Sequence, residues 1–314
     1  MSSDYQMMLD VYRNVGQDTE PFADSDVAHL VIHENEVVGA HLVPGFEADV
    51  EQLSDGVAVR AQVDEGAVIA KQVHMCFGIM PEKGLQRILL DVAVRSGGKV
   101  NILAHCMFPN ALDVTHLMEA EIRVEDGATY KYLERHVHGD AGGVLVVPKA
   151  KVYLGERATF ETEFELISGR VGRIDVDYET WCAARSSMKM TARIAGREDD
   201  VINVREIGHL EGDGAAGVLL SRIAVRDHAR ADVYNELTAS APYATGHVDC
   251  KEIVQDKGVA KATPIVEVGH PLARVTHEAA IGSVDSKQLQ TLMARGLSED
   301  DAVELIIRGL LRQS

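Results

Sequence analysis

Residues able to hold a metal or carry sulfur gather in one part of the chain. Residues 246–282 read GHVDCKEIVQDKGVAKATPIVEVGHPLARVTHEAAIG and contain Cys250, His247, His270, His277 and Glu278. Thiolate, imidazole and carboxylate are the side chains that ligate transition metals and iron–sulfur clusters. Cys250 stands in a polar, turn-like GHVDCKE, and the adjacent Lys251 favours the reactive thiolate. The competing reading is a small buried hydrophobe, the usual fate of a free cysteine. His277 and Glu278 are neighbours, so on a strand they point to opposite faces. A site built on either of them needs a further ligand, and Cys250 is the candidate.

A second group lies upstream. Cys106, in ILAHCMFPNALDVTH, sits close to Pro109 and Asn110, which end a strand and leave the thiol within reach. His136 and His138, in ERHVH, share one side of a strand at a spacing that suits a metal or two satisfied core histidines. SSMKM at 186–190 and the pair Trp181–Cys182 read as core. The chain has no nucleophile elbow, phosphate loop, HExxH or dinucleotide fingerprint, and no compact metal-binding motif.

The elements that must position these residues are mostly short strands. From Val57 to Ile265 the text alternates with period two, in runs such as VAVRAQV, KVNILAHCMF, TYKYLERHV and GRIDVDYETW. Similar corners separate them: DEGAV, EDGATY, GERATF, DGAAGV and DKGVA recur at about thirty residues or simple parts of that interval. Hairpins of a β-sandwich would carry two-residue turns between antiparallel partners. Recurring like corners instead predict a right-handed parallel β-helix, mainly β, over residues 51–284. Residues 1–50 hold a short N-terminal helix (4–14) and short strands about an Asn-Glu turn. Residues 285–314 form two helices. Leu289, Leu292 and Met293 share a face of the first. Ser298 and Asp301 open the second as a capping box, and Val303, Ile306, Ile307 and Leu310 make its apolar stripe. Such helices either cap the last strand edge or form a docking surface.

Composition narrows the partners. The formal net charge of -18 disfavours nucleic acid and anionic membrane surfaces. The start, MSSDYQMMLD, has neither the basic nor the apolar part of an export signal, which predicts a cytoplasmic protein. Four scattered cysteines, without a CxxC pair, argue against a disulfide framework or a preformed cluster loop. With only 5% aromatics, the core must come from aliphatic residues.

GHVDCKEIVQDKGVAKATPIVEV followed by THEAAIGSVDSKQLQTLMARGLSEDDAVELIIRGLL resembles the C-terminal part of SufB and SufD, the paired scaffolds of the SUF iron–sulfur cluster assembly system. Cys106, Pro109 and His116 match an upstream segment of that family more loosely. The chain looks like the short, self-pairing SmsB-like type. The resemblance implies a non-enzymatic scaffold that assembles a transient iron–sulfur cluster. It also implies a homodimer joined through the last β-helix strands, and a SufC-type ABC ATPase docked on the C-terminal helices. Cys250, His277 and Glu278 would be the metal ligands, with His270 as an additional candidate. Cys106 would receive sulfur from a donor, and His136, His138 and Lys149 would line an internal sulfur route. Departures from SufB fall at Thr276, where an acidic residue is common, at His270, and at His136 and His138, which replace Gln and Trp. Two rival readings stand beside this one: a β-helix carbohydrate-active enzyme, and an adaptor for the ATPase with no metal role.

Overall fold

Alternation of side chains decides the architecture. In most of the strands every second residue is apolar and buried, as in Thr159–Leu166 and Gly172–Cys182. One face of each strand must therefore meet another apolar face. A computed structural model, which describes residues 3–14 and 16–311, shows how the chain meets that demand. It winds into a parallel β-helix of about eight turns with a helix at each end. Successive strands alternate between two sheets, so each turn adds one rung to both. Sheet 1 has ten strands among the described residues and runs from Glu36–His41 to Arg274–Gly282. Sheet 2 has nine and runs from Phe46–Gln52 to Val259–Val268.

After the first parallel pair, His29 on His74, which spans 45 residues, rungs repeat every 28 to 31, from Thr159 on Ser187 to Val57 on Ile88. Side chains of the two inner faces fill the space between the sheets. That lumen is lined by residues such as Val100, Ile102, Ile174, Ile202, Leu219 and Val233, all buried. Corners stack as well. Ala128, Ala158, Ala215 and Ala244 are fully buried in one corner, with Ser186 at the turn between Ala158 and Ala215, where a larger side chain would meet the rung above. The residue preceding the alanine is left-handed. It is glycine at 66, 127 and 214, yet Arg157 and Tyr243 hold φ of 54° and 58° at the equivalent places. The hydrogen-bonded stack therefore enforces the corner even where the local residue resists it.

The two ends differ. At the first end, Glu36–His41 and Phe46–Gln52 each join their sheet antiparallel to the next strand, and an irregular register interrupts the first of these pairs. Helix α1 (Ser3–Asn14) buries Tyr5, Met8 and Tyr12 against Val31, Cys76 and Met107 on the outside of sheet 1. At the other end come α2 (Ser286–Met293) and α3 (Glu299–Leu311). Asp285 caps α2 through its bond from Gln288 N, and Ser298 Oγ accepts from Asp301 N at 3.1 Å to start α3. Helix α3 buries Ala302, Val303, Ile307 and Leu311 on Ala195, Ala224 and Ile253, again outside sheet 1. It therefore lies along the flank and does not cap the last strand. Ile306 and Leu310 of the expected stripe are only partly buried.

Candidate functional site

The lumen is largely apolar, with a seam of buried polar side chains running through it. Cys106, on Lys99–Phe108, projects inward with Ile102, Ala104 and Phe108 and has no exposed surface. The sequence suggested a thiol within reach near a strand end; its parity turns it into the core instead. Its Sγ lies 3.7 Å from His116 Nε2 and 3.8 Å from Glu134 Oε1. These three donors all fall within 4.8 Å of one another. Glu134, His136 and His138 alternate inward along Thr129–His138 and stand on the rung after Cys106.

Hydrogen bonds assign the protons here. Burial holds His138 well below its ordinary pKa and lowers His136 to about 3, so both rings are neutral. A carbonyl only accepts, so His138 Nδ1 donates to Arg170 O at 3.1 Å. Its Nε2 must then accept from His136 Nδ1, also at 3.1 Å. This leaves His136 Nε2 without a proton, 2.8 Å from Glu134 Oε1. One proton must therefore lie between them, and Glu134 supplies it. Burial, opposed by His116, pushes its pKa up to about 7. Tyr178 donates to the other carboxyl oxygen at 3.2 Å. Burial, with Glu134 close by, also holds the Cys106 thiol well above its usual range. At rest this is a neutral thiol beside a neutral acid.

The seam continues along sheet 2, where Tyr178, Glu206 and Asn235 occupy one row on successive rungs. Asn235 Nδ2 donates across the lumen to Cys250 Sγ at 3.6 Å. Ser221, one rung before Cys250 in sheet 1, donates to Glu252 Oε1 at 3.0 Å. Burial pushes Glu206 up to about 8 and Glu252 up to about 7. Five rungs separate the strands of Cys106 and Cys250, about 25 Å at the usual strand spacing. Glu134, Glu206, Asn235, Ser221 and Glu252 were not singled out in the sequence. Their signal was parity: each falls in phase with the inward apolar residues of its own strand.

Cys250 itself is fully buried in the middle of Thr245–Val254, not in a turn. His247, Asp249 and Lys251 beside it alternate outward. Lys251 points to the other face, where it pairs with Asp249 at 3.3 Å, so it cannot promote the thiolate. Burial instead pushes Cys250 up to about 11. The last rung, Arg274–Gly282, places Ala279 beside Cys250, His277 beside Val248 and Glu278 beside Asp249. His277 is therefore on the inward side and Glu278 on the outward side, 3.8 Å from Lys251 Nζ. Both are exposed, because no further rung covers them. Among the described residues these groups do not close on one point within a single chain; the three-donor cluster is that of Cys106, His116 and Glu134. Thr276, in the place where SufB commonly has an acid, is hydrogen-bonded to His247 at 2.8 Å.

Two expected positions are elsewhere. His270 lies in the corner before the last strand, with its Nδ1 accepting from Leu272 N. Six residues separate the corner alanine Ala244 from Cys250, so the imidazole sits roughly 20 Å away along the strands. Lys149 is exposed on the outside of sheet 2, because it alternates out of phase with the inward Val146 and Ala150. It cannot line an internal route. Trp181 is also outward, stacked between Tyr153 (4.9 Å) and His209 (5.2 Å), although Cys182 and the methionines are core as expected.

Known proteins are similar to this chain over most of its length. The family model described as "SUF system FeS cluster assembly, SufBD core domain" matches residues 82–310. An iron–sulfur cluster assembly SufBD family protein of Methanocaldococcus jannaschii is 31% identical over 304 residues, covering 97% of this chain and 96% of its own length. One from Pyrococcus horikoshii is 30% identical over 308 residues, with 98% and 94% covered. The iron–sulfur cluster assembly protein SufB of Bacillus subtilis is 23% identical over 332 residues, covering 99% of this chain and 69% of its own.

Proposed function

This chain belongs to the SufBD family of iron–sulfur cluster assembly proteins, and we propose that it is the family's self-pairing scaffold and no enzyme. The observation that carries the reading is the last turn of the coil. Its last strand is largely exposed and the one before it half-buried, and Val259, Val268 and Ile281 on them, with Leu272 in the corner between, face solvent. Unpaired strand edges with apolar side chains are ready to add a strand from another chain. A second copy meeting this edge about a two-fold axis would bring two sets of Cys250, His277 and Glu278 to one junction. The cluster is cargo in this scheme: thiolate, imidazole and carboxylate from both copies hold it while it forms. Burial raises the Cys250 thiol, so the resting junction is protonated, and the site has to open before it ligates. Sulfur reaches it through the lumen from Cys106, past Glu134, His136, His138, Tyr178, Glu206 and Asn235. His270 and Lys149 have no part in it.

The opening force comes from an ABC-type ATPase, SufC in this system, seated on α2 and α3. A cavity of about 570 Å³ between them is lined by Leu292, Leu305 and Ile306, and α2 has no buried residue, which suits a partner surface. Arg197–Glu304 and Arg226–Asp300 ion pairs tie α3 to the rungs before Cys250, so force on the helix is carried to those strands. Among the described residues no helix is long and apolar enough to cross a membrane, which fits a cytoplasmic scaffold.

Anaerobic reconstitution with iron and sulfide tests the reading. The wild-type dimer should develop the absorption of an iron–sulfur cluster, and Cys250→Ala should lose it while remaining dimeric. A Cys250→Ala protein that holds a cluster as well as wild type overturns the assignment.

A further inference from the structure

The three-donor cluster in the lumen has the makings of a second, separate site. We propose that Cys106, His116 and Glu134 bind a single divalent transition-metal ion of intermediate softness, such as Fe²⁺ or Zn²⁺, inside the coil. The inference does not rest on the cluster junction proposed above, which lies five rungs away.

Geometry comes first. Ligation at about 2.3 Å to sulfur and about 2.0–2.2 Å to nitrogen and oxygen, at a tetrahedral angle, separates such donors by about 3.6 Å. The sulfur lies 3.7 Å from the imidazole nitrogen and 3.8 Å from the carboxyl oxygen. Two of the three separations are therefore within a few tenths of an ångström of those in a metal's coordination sphere, and the third, imidazole nitrogen to carboxyl oxygen, is no more than 4.8 Å.

Their surroundings point the same way. His116 is fully buried; among the described residues its Nδ1 has no hydrogen-bond partner, and its Nε2 meets the weak sulfur contact. An aliphatic residue would fill that place without leaving a polar atom stranded, and most of the lumen is aliphatic. The carboxyl group is held on both oxygens, by His136 at one and Tyr178 at the other. His136 is fixed in turn by His138, and His138 by a backbone carbonyl. A ligand oriented by a chain of outer hydrogen bonds is what metal sites require.

Donor chemistry selects the ion. One thiolate, one imidazole and one carboxylate suit Zn²⁺, Fe²⁺ or Co²⁺; Mg²⁺ and Ca²⁺ call for oxygen alone, and Cu⁺ prefers more sulfur. Ligation converts the Cys106 thiol to thiolate and the Glu134 acid to carboxylate, and both protons are released. Three protein donors leave one tetrahedral vertex for a small exogenous ligand, water or sulfide. While the metal is bound Cys106 is masked, so metal binding and sulfur receipt are alternative states of that thiol.

Co²⁺ is the probe, supplied anaerobically to the folded protein and, separately, during expression. Wild type should bind one ion at this site, with thiolate-to-cobalt absorption in the near ultraviolet and strong tetrahedral bands in the visible. Cys106→Ser should abolish the near-ultraviolet absorption, and His116→Gln should shift and weaken the visible bands. His136→Phe, which removes only an outer support, should bind about 10–100-fold more weakly. Cys250→Ser should leave all of these signals in place, whatever it does to cluster assembly. Circular dichroism melts identify any variant that fails to fold, and the remaining variants carry the comparison. Absence of the thiolate absorption from folded wild type under both loading regimes overturns the proposal. So does an absorption that survives Cys106→Ser or disappears with Cys250→Ser.

Discussion

Glu206 should make the fold lose stability as pH rises. Its carboxyl is buried in the lumen, one oxygen has no hydrogen-bond partner among the described residues, and burial lifts its pKa from 4.5 to about 8. The unfolded chain ionises it above about 4.5, whereas the folded chain keeps it protonated until about 8. Across that window the folded state binds the extra proton, so its stability falls with each pH unit and the loss is complete above the folded value. The slope is about 1.36 kcal/mol per unit near pH 6 and falls to half of that at pH 8, so the loss across the interval is about 2.3 kcal/mol in all. An unfolding entropy of about 2.1 cal/mol/K per residue turns this into about 3.5 °C of Tm for a chain of this length. Glu206→Gln keeps the shape and removes the titration. Melting by circular dichroism at pH 6, 7 and 8 should show the gap between variant and wild type moving by about 3.5 °C in the variant's favour as pH rises. Glu134 and Glu252 remain in both proteins and cancel in that difference. Curves that stay parallel from pH 6 to 8 would refute the reasoning, since they would mean that Glu206 ionises alike in both states.

Other substitutions probe other parts of the molecule. Ala158→Val overfills a corner with no free space and should cost about 1–3 kcal/mol, measured by denaturant unfolding. Arg193 donates to Leu311 O at 2.8 Å from a buried position, so Arg193→Met should loosen α3 by about 1.5–3 kcal/mol, seen as faster amide exchange confined to residues 299–311. Lys149→Ala should leave cluster yield within error of wild type, because the side chain never enters the lumen; a large loss in the reconstitution assay would contradict its placement.

Much of the architecture was legible because a β-helix writes itself in two periods. Alternation within strands and recurrence of corners are both local signals, and runs such as KVNILAHCMF coincide with the strand Lys99–Phe108. The site was harder because residue type and residue direction carry different information. Asp249 and Lys251 made Cys250 look like part of a turn, when they are the outward half of an alternating strand whose inward half is Val248 and Cys250. The same rule, counted strictly, would have sent Lys149 outward and drawn Glu134 and Glu252 inward. His270 misled for another reason: in a coil, closeness along the chain counts for less than standing one turn apart, as Ser221 and Cys250 do. Corners gave a final surprise. Arg157 and Tyr243 carry no glycine-like signal, and only the neighbouring turns explain their backbone.

The unlike ends of the coil set a limit on how many copies can join. The strand that finishes sheet 2 at the first end carries Glu47, Asp49 and Glu51 on its exposed surface, and its antiparallel pairing reverses the direction that an added parallel rung would need. Two such ends brought together face like charges, which penalises contact by mutual repulsion. Nor does that acidic, reversed strand offer a continuing parallel rung to the last turn of another copy. Growth by head-to-tail addition, the usual route from an open sheet to a fibre, is therefore blocked at the first step. The last turn is then the end left to associate, and once it has met its own kind the ends that remain are the acidic, reversed ones.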